Sequence, residues 1–248
     1  MRKLSALSVA QAKIFVREPA AFFFTLVFPL LLLTMFGLVF GNEPGGPFSA
    51  TFGYVDYSTP AITVLIIVSI GLMGIPIQTA TARENKILRR FRAAPMRPST
   101  YVGATVVVYY VMAVVAMAMT IVVARALFGL RFGGSWVSVW AAFTLIAASF
   151  FSIGYMIASV ASTARIAQVV GQALFFPMMF LSGAAMPLEI MPPGVRAAAE
   201  LLPMTHAVKL LQNIWFGVGW GASVLHALVV LGTLVLGLGL SARMFRWE

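Results

Sequence analysis

The chain has no cysteine among its 248 residues. No disulfide can staple a loop, and thiolate chemistry and cysteine-held metals are excluded. Charge is scarce as well: Asp, Glu, Lys and Arg make up 10% of the residues, where a soluble domain carries about 25%. The two histidines, His206 and His226, stand far apart in sequence with no Cys or Asp beside them, so no metal centre is expected. The phosphate-loop spacing G-x-x-x-x-G-K-[ST] occurs nowhere, and the Gly-rich stretches 41–47 and 129–134 lack the lysine that would reach a phosphate. Neither a Ser-His-Asp set nor paired carboxylates support hydrolysis. An enzyme reading has almost nothing to stand on.

What is present is apolar surface, with 61% hydrophobic residues and a mean hydropathy of +0.97. A soluble fold cannot hide that much; lipid must be the solvent. A helix needs about 20 apolar residues to cross the hydrocarbon core, so the chain has room for six crossings and short loops, and none for a separate soluble catalytic domain. They are expected at 20–40, 58–80, 102–124, 138–160, 166–186 and 222–242, as one domain over 1–248. The opening 1–19 does not have the layout of a cleaved signal peptide, because its cations are spread throughout. The first apolar segment is expected to be retained.

The net charge of +10 orients this protein and does not imply nucleic acid. With a cytoplasmic N-terminus, 13 of the 17 Lys and Arg fall on the inner side, and only Arg125, Arg131, Arg196 and Lys209 fall outside. That is the positive-inside asymmetry of six spans with both termini cytoplasmic. Glu43 and Asp56 are placed in the outer loop 41–57.

Along the chain, residues 2–18 space Leu4, Leu7, Ala10 and Ile14 at helical intervals with cations elsewhere, as in a basic helix lying in the interface. A plain positive flank is the alternative. Pro29 is expected to bend the first span. The segment 82–101 carries six Lys/Arg against one Glu. Its Ile87, Leu88 and Phe91 form an apolar stripe, and Pro95 ends the short helix. A solvated loop would need no such stripe, although a basic loop facing the membrane would also fit.

The spans contain no ionisable residue at mid-depth by these boundaries, which argues against ion-gradient coupling. Polar residues available to line a pore are few: Gln78, Thr120, Ser149, Ser152, Gln168 and Gln172. Fourteen Met and twenty Phe offer adaptable apolar surface instead. Met35, Phe36, Met178, Met179 and Phe180 are candidates for a pathway lining, with lipid-facing packing as the alternative. The pairs Gly154/Ala158 and Ala167/Gly171 permit close helix contact.

The run from Leu174 to Phe216 is the most specific. An apolar stretch breaks into a segment with prolines at 187, 192, 193 and 203 and stays half-apolar, so the chain is expected to hover at the outer surface before crossing again. In its second helix Thr205 is read as the N-cap, with Val208, Leu211 and Trp215 on one face and Lys209, Gln212 and Asn213 on the other. Phe-Leu-Ser-Gly at 180–183, Pro187, Pro192 and Leu-Leu-Pro-Met-Thr-His-Ala at 201–207 together resemble the signature region of ABC-2 type transporter permeases, similar to the daunorubicin-resistance type.

That resemblance implies an all-α membrane fold of six helices, with an interfacial helix at 1–19, a coupling loop at 82–101 and re-entrant external helices. Glu84 and Pro95 match the ends of the family's coupling helix, while Asn85-Lys86 departs from its usual Gly-Thr. It implies ATPase coupling through Glu84, Ile87, Leu88, Phe91 and Pro95. An external gate at 187–221 would include Pro187, Pro203, Thr205, Leu211 and Trp215. It further implies two separate ABC ATPase subunits that bind ATP and Mg, since this chain has no cofactor of its own. A second permease subunit, identical or paralogous, would complete the pathway, in contact with membrane lipids and no nucleic acid. The implied setting is a bacterial cytoplasmic membrane and the implied activity export of a drug- or lipid-like substrate. A polysaccharide or lipid-precursor exporter, or a non-transporting scaffold or immunity subunit, remains the other reading.

Overall fold

The computed structural model describes residues 22–45, 51–86, 98–185, 188 and 191–244. The expected helix at 1–19, the apolar stripe with Pro95, and Pro187 lie outside the described residues. All six expected crossings are present as helices: Phe23–Phe40, Tyr54–Glu84, Val102–Phe128, Trp136–Val160, Ala164–Leu181 and Gly221–Arg243. Here these are spans one to six.

Span one is a widened π-turn, Phe23–Val27, leading into α1 (Phe28–Phe40). Span two is α2 (Tyr54–Ser69), a second π-turn (Ile70–Gly74) and α3 (Ile75–Glu84). Spans three, four and five are α4 (Pro98–Phe128), α5 (Trp136–Val160) and α6 (Ala164–Leu181). Two short helices follow, α7 (Pro193–Ala199) and α8 (Pro203–Trp215), before α9 (Val224–Met244) forms span six.

Both π-turns are followed by a proline, and the reason is steric. Pro29 and Pro76 have no N–H for the carbonyl four residues back, and their rings crowd it. Widening the preceding turn relieves that clash: the Phe28 and Ile75 N–H groups reach back to Phe23 O and Ile70 O, five residues away. The bend expected at Pro29 therefore takes the form of a π-turn.

Span two is the centre of the bundle. In its most apolar window 94% of residues are buried, against 22% for spans one and five and 17% for span six. α1, α4, α5, α6 and α8 all pack on it. The small-residue pairs make this possible. A Cβ added at Gly154 would lie 2.2 Å from Gly71 O, and one at Gly171 would lie 2.2 Å from Leu72 O. Spans four and five thus touch the backbone of the second π-turn directly. Ala158 and Ala167 beside them are fully buried.

Three of the polar residues considered for a pore lining, Thr120, Ser149 and Ser152, are used in packing, while Gln168 is exposed and Gln172 half-buried. Ser149 Oγ donates to Val230 O at 3.0 Å, and Ser152 Oγ to Ser149 O at 2.6 Å and Leu234 O at 3.5 Å, joining span four to span six. Thr120 is buried and bonds its own helix at Ala116 O. At 31 residues, span two is about 46 Å long at 1.5 Å per residue, well beyond the ~30 Å hydrocarbon core. Its charged ends, Asp56 and Arg83, sit at opposite ends of that length.

Candidate functional site

At the Glu84 end of span two, α3 stops because Lys86 adopts φ 56°, a left-handed conformation that closes a helix. Its N–H bonds Arg83 O at 2.9 Å, and Asn85 N–H bonds Thr81 O at 3.0 Å. Glu84 is exposed at this terminus. Arg83 turns back instead: Nη1 donates to Ala161 O at 2.9 Å and Nη2 to Ala158 O at 3.0 Å. These carbonyls end α5, where helix geometry leaves acceptors without partners and the macrodipole favours a cation. Spans two and four are clamped where the cationic loop begins.

At the opposite end of span two, Asp56 is fully buried. Sequence reading put it in an external connector, but the helix starts at Tyr54 and Asp56 lies in its first turn. Its carboxylate accepts from Gly53 N at 3.0 Å, Asn42 Nδ2 at 3.0 Å and Arg131 N at 2.7 Å, with Arg131 Nη1 at 3.6 Å. Asn42 Oδ1 in turn accepts from Asp56 N at 3.0 Å. One carboxylate ties three chain segments together, and the donors neutralise what burial would otherwise make unfavourable.

The segment before span six departs from its expected position. α8 is not a helix with one wet face; it is inserted against α2, α5, α6 and α9. Val208, Leu211 and Trp215 are buried as one face, but so are Met204, Leu210 and Ile214. Gln212, assigned to the wet face, is buried and donates through Nε2 to Tyr57 O at 3.1 Å. Thr205 is not the N-cap: Leu202 holds that place, and the Thr205 hydroxyl donates to Ala199 O at 2.6 Å, pinning α8 to the end of α7. Pro203 opens the helix, where its missing N–H is not needed. At the far end Trp215 meets Phe132 and Trp136 edge-on, at centroid distances of 5.0 and 5.7 Å, and Phe216 packs on Phe52 at 4.5 Å.

The start of α8 carries a polar cluster that sequence reading did not assemble. His206 Nδ1 lies 2.9 Å from His226 Nδ1, and His206 Nε2 lies 2.9 Å from Glu200 O. Lys209 Nζ donates to Glu200 Oε1. This hydrogen bond holds the Glu200 carboxyl below its ordinary range, aided by the Lys209 charge and opposed by partial burial. No group of three or more His, Cys, Asp or Glu able to hold a metal occurs among the described residues.

The five candidate lining residues do not share one environment. Met35 and Phe180 are exposed, Phe36 and Met178 half-buried, and Met179 lies in the core. Spans one and five meet through Phe24 and Phe176, whose rings are 6.2 Å apart.

The class these features define is a multi-pass, all-helical membrane protein whose central helix is tied to a cationic loop at one end and a re-entrant helical pair at the other. The chain belongs to the ABC-2 type transporter family, whose pattern matches residues 2–216. It is 28% identical over 199 residues to the "Daunorubicin resistance ABC transporter permease protein DrrB1" of Streptomyces coeruleorubidus, covering 76% of this chain and 66% of that one. It is 31% identical over 115 residues to "Nodulation protein J" of Bradyrhizobium diazoefficiens, 45% of this chain and 44% of the other. With the Escherichia coli K12 protein described as "Probable multidrug ABC transporter permease YbhS" it shares 22% identity over 157 residues, 63% of this chain and 42% of that one. The matches thus span 42% to 66% of these relatives' lengths.

Proposed function

We propose that this chain is the membrane subunit of an ATP-driven exporter that moves a lipophilic, drug- or lipid-like substrate outward across a bacterial cytoplasmic membrane. The observation that carries this reading is the single buried column of span two, which runs from the cationic inner loop to the re-entrant α8. Force applied beside Glu84 has a continuous packed route along span two to the outer end. The resistance named for the Streptomyces relative supplies the outward direction and the drug-like substrate.

In this reading two ABC ATPase subunits hold ATP and Mg and dock on the loop that follows Glu84, with Ile87, Leu88 and Phe91 as the apolar contact and Pro95 as its end. A second permease subunit pairs with this one. Met35, Phe36, Met178 and Phe180 face the pathway between them, and Met179, on another side of the same helix, packs inward. The 187–221 segment, which carries Pro187, Pro203 and Thr205, closes the outer end, with Leu211 and Trp215 as its buried anchor. Both termini are cytoplasmic.

The test is transport in inside-out vesicles containing this chain and a cognate ABC ATPase. ATP-dependent uptake of a lipophilic dye is expected. With Leu88 and Phe91 changed together to Asp, uptake and ATPase co-purification are expected to fall to the level of empty vesicles, while insertion persists. Wild-type uptake by that double variant overturns the docking assignment. No uptake by the intact pair, with any lipophilic dye or lipid probe, favours the non-transporting scaffold.

A further inference from the structure

Span two is built differently above and below its π-turn. Above it, in α2, the buried hydroxyls of Ser58, Thr59, Thr63 and Ser69 each bond a carbonyl of their own helix at 2.7 to 2.9 Å. Below it, in α3, three buried polar atoms have no partner: Gln78 Oε1, Thr79 Oγ1 and Arg83 Nε. Thr79 has the same chemistry as Thr59 and Thr63 and is equally buried, yet its oxygen is unpaired. A buried polar group without a partner is a standing free-energy cost. In one short helix, three of them mark a position that is not optimal for its side chains.

The joint above α3 has the features of a pivot. Its backbone ladder is already interrupted, with Ile75 N–H bonded five residues back and no N–H on Pro76. Its bearing surfaces are glycines: Gly71 against Gly154, and Gly171 against Leu72 O. Tyr109 from span three donates to Gly74 O at 3.1 Å, bracing the joint from a neighbouring span through one hydrogen bond. Against movement stand the Arg83 bonds to Ala158 O and Ala161 O and the packing of Ala80 with Ala161 and Ala167.

We propose that α3 is a two-position lever that pivots on Ile70–Gly74 and exchanges between the seat seen here, held to spans four and five by Arg83 and Ala80, and a second seat shifted along those spans. The Arg83 clamp and the alanine contact favour the first seat. Pairing of Gln78 and Thr79 favours the second. The two sets of interactions oppose each other across one joint, which is the arrangement of a bistable element and not of a fixed span. The lever belongs to the isolated chain in a bilayer, so it stands or falls independently of which partner or substrate the protein serves.

Met73, in the joint and 6% exposed, is the reporter. The full chain, labelled with 13C at its methionine methyl groups and held in lipid nanodiscs, is compared with Met73→Leu to assign the signal. Two Met73 signals, or microsecond-to-millisecond exchange broadening, are expected. Thr79→Val and Gln78→Leu each remove a group that the second seat would pair, and are expected to tilt the populations about fivefold toward the first seat. Arg83→Gln is expected to tilt them the other way. A single Met73 signal without exchange in the wild type and in Arg83→Gln overturns the lever. So does a shift of Thr79→Val and Arg83→Gln in the same direction, which would mean local strain in one seat.

Discussion

The Nδ1 atoms of His206 and His226 face each other at 2.9 Å across the junction of α8 and span six. One must donate and one accept. Because Glu200 O can only accept, His206 Nε2 carries its hydrogen. Neutral His206 therefore accepts at Nδ1, and His226 donates from its own. The pair has room for one further proton, at His226 Nε2, and a second would set two N–H groups against each other.

Replacing either histidine by Phe leaves the other ring without its partner, and His206→Phe also orphans Glu200 O. Each is expected to cost about 1–3 kcal/mol of stability, read as earlier thermal unfolding in detergent. The two changes should not add: the double variant is expected to recover about 1 kcal/mol of coupling. Strict additivity would mean the rings do not bond.

The Glu200–Lys209 pair gives a pH signature. The Glu200 carboxyl is lowered from its usual 4.5 when folded, so its contribution is present above that value and lost as pH falls through the lower folded one. Both groups are substantially exposed, which limits the effect to about 0–1 kcal/mol. Unfolding temperature measured from pH 6 to pH 3 is expected to fall less steeply in Lys209→Met than in the wild type. Parallel curves would remove the pair from any role in acid stability.

Gly171→Ala is expected to be among the most damaging single-methyl additions in the chain. Its Cβ would meet Leu72 O at 2.2 Å, and a backbone atom cannot rotate away. A loss of about 1–3 kcal/mol is expected in detergent unfolding, with Gly232→Ala, which meets nothing within 4 Å, as the silent control. Equal behaviour of the two would mean span five does not approach span two as closely as described.

Sidedness is testable because the chain lacks cysteine. Gly194 and Ser162 are exposed beyond opposite ends of span five. Single cysteines there, treated in intact cells with a membrane-impermeant maleimide, are expected to label at 194 and not at 162. The reverse would put the loop after Glu84 on the outer side and end the ATPase docking assignment.

The six spans were legible because lipid leaves a helix no alternative to long apolar runs; each expected crossing overlaps a helix of the fold. The placement of α8 was not. An amphipathic helix shows the same periodicity on a membrane surface as in a gap between helices, and only the burial of Gln212 and Leu210 separates the two. Asp56 left a faint signal: it stands three residues after Gly53, at capping-box spacing before an apolar run. Arg83 left none, since nothing local shows that the end of α5 would come to rest beside it. The π-turn was half-legible, through Gly71, Gly74 and Pro76, but hydropathy does not register a change of helical pitch.

Span six is held in a way that is indifferent to most of its own letters. Ser149 and Ser152 grip it through the carbonyls of Val230 and Leu234, and every amino acid supplies a carbonyl. Only at Gly237, where a Cβ would strike Ser152 Oγ at 2.2 Å, does the identity of a span-six residue matter to that grip. On this face span six is bound by having a backbone, and its side-chain commitments lie elsewhere, at His226 bonded to His206 and at the buried Val230. Apolar substitutions away from those positions and from Gly237 leave the serine grip intact, because it asks only for carbonyls.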